Sequence, residues 1–247
     1  MGPVKKNFSA VVAGMAAILI LVLGLRLLDA AESNTLTVDE PHYVGVGLYL
    51  LDTVDYDFAK TLTFHPPLTH HLASLALLPW LDDALEITRG IGGQLLSGSD
   101  PEPQRVRWLS RLPFVGLACW GAFLIFLWAR EVAGPGAGLL ALSLYSLSPT
   151  LLGHGFLVHS DIAVTVFFVQ ALYTFWRWWN RPGALRFALC GLSLGLALLS
   201  KLSALLLLPS FGLLLLAIEY GVPPFSSAAD REAGGWRTRG LWLPGMR

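Results

Sequence analysis

The sequence predicts an all-α protein, a polytopic transmembrane helical bundle of about six spans, since a helix crosses a bilayer in about 20 apolar residues. Its long first extracytoplasmic loop is expected to bear amphipathic interfacial helices. Three observations lead there. Of the 247 residues, 54% are hydrophobic and only 14% charged, with a mean hydropathy of +0.59, whereas an ordinary soluble domain carries about 25% charged residues. The apolar residues fall in long blocks, at 9–28, 112–130, 136–152, 156–179, 185–200 and 202–220. And the charges are segregated along the chain: most of the 17 Asp and Glu lie between Asp29 and Glu102, so the formal net charge of zero averages two unlike faces.

None of the blocks alternates as a barrel strand would, so each reads as a helix whose backbone bonds close internally. The first follows Lys5 and Lys6 and could be mistaken for a signal peptide; its length and the blocks after it favour a retained span. With the N-terminus cytoplasmic, Arg130, the group Arg177, Arg181 and Arg186, and the tail's Arg231, Arg237 and Arg239 fall on the cytoplasmic side as well, which is the positive-inside pattern. The expected organisation is a transmembrane module over 1–220, with its first outer loop at 32–110, and a polar, cytoplasmic tail over 221–247. All six His, together with Asp161 and Lys201, come out on or near the outer side.

The outer loop is far longer than a usual connection, which marks it as functional or internally structured. In "DEPHYVGVGLYLLDT", Val44, Leu48 and Leu51 recur at helical spacing, Asp39 stands where a cap would, and Pro41 is tolerated in a first turn. In "PPLTHHLASLALLPWL", Leu68, Leu72, Leu75 and Leu78 form one stripe. Both segments are too short to span and are expected to lie in the interface. The run "RGIGGQLLSGSDPEPQ" reads as a flexible connection. Cys119 and Cys190 sit inside predicted spans and are assigned no disulfide. No phosphate loop and no HExxH spacing occurs. The pair His70-His71 suggests a metal, but neighbours on a helix point apart, which favours a polar or interfacial role.

Several residues are candidates for chemistry. Asp39-Glu40, in "TVDEPHY", is either a helix-start acidic pair favoured by the macrodipole or a catalytic carboxylate. His65 precedes two prolines that fix where its imidazole points, or is incidental to a Pro-Pro helix start. Arg111, at the outer mouth of the second span, is an interfacial anchor or a phosphate ligand. Asp161 and Lys201 lie inside or between apolar blocks, where a charge costs about 2.5–3.5 kcal/mol on insertion scales. For Lys201 the plain alternative is a turn lysine snorkelling to the headgroups.

"VDEPHY", "FHPPL", "RLPFVG", "SPTLLGHGFLVHSDIA" and "GLSLGLALLSK" occur in that order. Together they resemble the N-terminal half of the protein O-mannosyltransferase and lipid A aminoarabinose transferase superfamily, the GT-C glycosyltransferases, and are most similar to its bacterial PMT-like members. The resemblance covers about residues 9–220. It implies a membrane glycosyltransferase that moves a sugar from a polyprenyl-phosphate donor to an acceptor hydroxyl on a protein, lipid or glycan, on the extracytoplasmic side of the inner or plasma membrane, with inversion. By the same resemblance Asp39 matches the catalytic base, with Glu40 beside it, while His65, Arg111, Asp161 and Lys201 match donor-phosphate or substrate-binding positions. No cofactor is assigned; Asp39, Glu40 and Asp161 are the candidate ligands for a divalent cation. The expected partners are the lipid-linked sugar, the acceptor and membrane lipids, and no nucleic acid. Members of the superfamily run through many more spans, so this chain is expected to be a piece of a transferase, a frameshifted product, or the partner of a second subunit. The competing readings are a transporter with Asp161 and Lys201 as coupling residues, and a non-catalytic relative that only binds lipid or a partner.

Overall fold

A computed structural model describes residues 3–57, 59, 63–80 and 101–219. Among them there is no strand; the elements are α1 (Pro3–Ser33), α2 (Glu40–Thr53), α3 (Leu68–Leu75), α4 (Pro101–Ala133), α5 (Pro135–Ser146), α6 (Pro149–His154), α7 (Ser160–Asn180), α8 (Ala184–Ser200) and α9 (Leu207–Glu219). Short 3₁₀ turns at Leu78–Trp80 and Leu202–Leu206 complete them. The polar tail and residues 89–100 of the expected flexible connection lie outside the described residues.

Among the described residues, α1 and α4 are the two helices long and apolar enough to cross a membrane, through Ala10–Ser33 and Gln104–Ala133. At 1.5 Å per residue either stretch exceeds the roughly 30 Å of hydrocarbon. Helix α1 shows why it packs as it does: Val12, Ala16, Leu23, Leu27 and Ala31, spaced by four and seven, are buried, while Val11, Ile18, Leu21 and Leu25 face outward. It lies against α4 and α5, and α4 in turn against α7, which runs along α8. Gly134, at φ 91°, makes the tight turn from α4 into α5, a conformation that a side chain would oppose.

The later apolar blocks are more broken than expected. The block at 136–152 divides into α5 and α6 at Leu147-Ser148, because Pro149 cannot continue the helix before it. With 12 residues, α5 is about 18 Å long. The block at 156–179 becomes helical only from Ser160. Ala184–Ser200 and Leu202–Leu216 are shorter apolar stretches.

Polarity runs inside out. Leu140, Leu144, Leu185, Phe187, Leu192, Leu205 and Leu213 are exposed, while Glu40, Thr69, His70, Ser110, Arg111 and Ser200 are buried. A soluble monomer rarely exposes apolar patches beyond a few hundred Å²; such a leucine coat suits lipid. One core joins α1 through α7, and a smaller one of Ala163, Phe167, Ala171, Ala197, Ala204 and Leu207 seals α7 to α8 and α9.

The two helices of the long loop, α2 and α3, pack onto the bundle. Tyr43, Val44, Val46, Gly47, Leu48 and Leu50 bury α2 on most of its circumference. In α3 the leucine stripe is not the inner face: Thr69, His70, Ala73 and Ser74 are buried, and Leu75 and Leu78 are exposed. The reason is Gly47. A Cβ there would stand 2.2 Å from the His70 carbonyl oxygen and 2.7 Å from Ser74 Oγ. Only a bare Cα lets α3 approach so closely, and the small polar side of α3 is the side that fits.

Candidate active site

Six pieces of chain converge on one polar layer: the end of α1, the starts of α2, α3 and α7, the end of α8, and α4 around Ser110-Arg111. Backbone and side-chain bonds tie them together. Tyr43 Oη donates to Ser160 Oγ at 3.2 Å, joining α2 to α7. Thr69 Oγ1 donates to the Ser200 carbonyl at 3.4 Å, joining α3 to α8.

At the centre of the layer, Arg111 and Glu40 form a buried bidentate pair. Arg111 Nε and Nη2 donate to Glu40 Oε1 and Oε2, each at 2.7 Å. The remaining N–H groups of Arg111 donate to the carbonyls of Ala31 at 2.8 Å, Asn34 at 3.0 Å and Thr35 at 3.0 Å. A guanidinium has five N–H donors, so all are used inside the protein, and its carbon lies 5.3 Å from the Phe156 ring centroid. Glu40 is equally saturated, because its oxygens also accept from the N–H of Thr37 at 2.9 Å and of Val158 at 3.2 Å. Burial raises the Glu40 pKa, but the hydrogen bonds from Arg111, Thr37 and Val158 and the charge of Arg111 outweigh it, leaving the carboxyl below its ordinary value. Exposure is 0% for the arginine side chain and 1% for the glutamate.

Asp39 is treated differently by the fold. It occupies the N-cap position of α2, yet its side chain makes no capping hydrogen bond. Its carboxylate is exposed and lines a cavity of about 220 Å³ together with His42, Tyr43, Thr63, Phe64 and His65. So two adjacent carboxylates, alike in sequence, are one sealed and one open.

His65 stands with its ring 5.7 Å from that of Tyr43, which is itself 4.9 Å from the His70 ring. His70 is wholly buried; burial pushes its pKa down to about 4, so the imidazole is neutral near pH 7. Its Nδ1 lies 3.4 Å from the Tyr43 carbonyl, while His71 Nε2 meets Tyr56 Oη at 3.0 Å. The adjacent imidazoles do point apart. Among the described residues, no group of three His, Cys, Asp or Glu is placed to hold a metal ion.

On the α7 and α8 side, Lys201 Nζ pairs with Asp161 Oδ1 at 2.5 Å. This pair is open: the side chains are 32% and 64% exposed. The Lys201 backbone is extended between α8 and the 3₁₀ turn, and the ammonium reaches a carboxylate in the first turn of α7. His159 caps α7, its Nδ1 accepting from the Asp161 N–H at 3.1 Å.

All six site residues expected from the sequence therefore reach this layer. His42, Tyr43, Ser160 and His159 reach it too, and sequence reading did not single them out. A signal existed for two of them: His42 and Tyr43 stand three and four places after Asp39, on its side of a helix.

Residues 104–224 match the family described as dolichyl-phosphate-mannose-protein mannosyltransferase. Over this stretch the chain resembles that family. The family's proteins are membrane glycosyltransferases, in keeping with the helical, lipid-compatible fold. The matched stretch carries Arg111, Asp161 and Lys201, and begins after Asp39, Glu40 and His65. No curated protein and no solved structure matches the chain.

Proposed function

We propose that this protein transfers a sugar from a polyprenyl-phosphate donor to an acceptor hydroxyl on the extracytoplasmic face of the membrane, with Asp39 as the general base. The observation that carries the reading is the free Asp39 carboxylate, held on a cavity wall by a backbone that its neighbour Glu40 pins to Arg111. In a single displacement the acceptor oxygen bonds to the anomeric carbon as its proton passes to Asp39. The bond from that carbon to the phosphate oxygen breaks, and the lipid phosphate leaves with the electron pair. The centre inverts. A base whose proton transfer is positioned this way contributes about 10²–10⁴-fold.

Lys201 and His65 are the proposed phosphate and substrate contacts, since an ammonium near the departing oxygens stabilises charge that develops in the transition state. Asp161 holds that ammonium until the donor arrives. Arg111, with every donor engaged, is assigned to positioning and not to phosphate. Glu40 is likewise the anchor of Asp39 and not a second base. The topology goes with this reading: N-terminus cytoplasmic, chain multi-pass through residues 1–220, polar layer outside.

The test is Asp39→Asn in the full chain, assayed with a polyprenyl-phosphate sugar. Transfer should fall by about 10²–10⁴-fold, with thermal stability in detergent and membrane insertion as in the wild type. Transfer by that variant at the wild-type rate would remove Asp39 as the base.

A further inference from the structure

The cavity beside Asp39 has a composition that the transfer chemistry alone does not require. Among the described residues its walls are all from the outer loop, none from the long apolar helices: Asp39, His42, Tyr43, Thr63, Phe64 and His65. Phe64 is the anomaly. It is 92% exposed, on the segment that Pro66 and Pro67 stiffen, with the side chain of the preceding Thr63 accepting from the His65 N–H at 3.1 Å. A large apolar ring so fully exposed gains nothing for folding, and here it forms part of a cavity wall.

From this lining we infer that the cavity is the acceptor subsite and that the acceptor is a saccharide, its ring lying on Phe64 with its hydroxyls turned to Asp39 and the imidazoles. The inference rests on the transferase reading above and names its substrate class. Two features point to a sugar ring. A pyranose has one face rich in C–H groups, which pack on the negative face of an aromatic ring, and an edge rich in hydroxyls. The wall supplies both kinds of partner: an aromatic face from Phe64, and planar hydrogen-bonding groups from Asp39, His42 and His65. Size agrees as well. At about 220 Å³ the cavity falls below the roughly 300–1,000 Å³ of sites for drug-sized ligands, which suits one small ring.

The test uses the full-length protein in detergent and methyl glucoside and methyl mannoside as probes, with saturation-transfer NMR for binding. Transfer from a polyprenyl-phosphate sugar is then assayed with short oligosaccharides and with Ser/Thr peptides. Wild type should bind the glycosides through the C–H protons of one face and glycosylate oligosaccharides. Phe64→Ala, a surface change, should weaken both by about tenfold as an aromatic contact is lost, and Phe64→Trp should restore them. Glycosides that do not bind, or bind Phe64→Ala as well as wild type, overturn the proposal, as does transfer to peptides and not to oligosaccharides; in that last case the transferase reading stands. If glycosides bind in a Phe64-dependent manner but no acceptor is ever glycosylated, the saccharide subsite stands and the transferase reading fails.

Discussion

Two acid–base pairs share one polar layer, and the fold treats them in opposite ways. Glu40–Arg111 is sealed, with every donor and every carboxylate oxygen engaged. Asp161–Lys201 is open, a single contact between two helix ends with the carboxylate mostly in solvent. A buried pair is costly to break because the survivor is left charged without a partner. An exposed pair is weak and exchanges readily. The sealed pair is therefore architecture, and the open pair is the one with a cation free to change partners. Charge type says little about role here; saturation of the hydrogen bonds says most.

That contrast can be broken by experiment. Arg111→Ala or Glu40→Ala should destabilise the protein by about 3–5 kcal/mol, as buried pairs do when one partner is removed, read as loss of monodisperse protein on gel filtration in detergent. Arg111→Lys should fail to rescue, since an ammonium cannot reproduce the bidentate fork or reach three carbonyls together. If Arg111→Ala were as stable as wild type and lost only donor binding, the division between sealed and open pairs would collapse.

The next effect in size concerns acid. Burial holds His70 neutral, with its pKa lowered from 6.5 to about 4. The unfolded chain binds this proton more readily than the folded one, so stability is full above pH 6.5 and falls as pH drops toward 4. Over that window the loss approaches about 3 kcal/mol at 1.36 kcal/mol per pH unit. Glu40, also lowered, adds loss in the same direction at lower pH, below its ordinary value of 4.5. Melting temperature followed from pH 7 to 4 should decline, and His70→Gln should flatten the upper part of the decline. An unchanged slope in that variant would remove His70 as its source.

The smallest effect on stability is expected at the open pair. Lys201→Gln should change stability by less than about 1 kcal/mol, as for exposed ion pairs, while raising KM for the lipid-phosphate donor. Equal KM values for variant and wild type would leave Lys201 without its proposed role and return it to the snorkelling alternative.

Much of this was legible in the sequence. Long apolar blocks name a helical membrane protein because backbone in lipid must satisfy itself, whatever surrounds it. "RLPFVG" and "HSDIA" fall in the stretch that matches the family, and with "FHPPL" they carry residues that meet in the layer. Other features stayed hidden, and for a common reason. The α3 stripe Leu68, Leu72, Leu75 and Leu78 reads as an interfacial face by periodicity, but that the polar side packs inward, where Gly47 admits it, no periodicity tells. Asp39 and Glu40 were indistinguishable neighbours. Asp39 stood in the capping position, but whether its side chain capped the helix depended on geometry that no spacing encodes.

By itself, then, the sequence determined the solvent this protein lives in, its helical secondary structure and the inventory of charged groups between its apolar blocks, since hydropathy and helical period are properties of short stretches of chain. Tertiary structure alone decided which carboxylate is locked and which is free. That choice is made by Arg111, brought from 71 residues away with a fixed fork of donors that fits only one of the two acids.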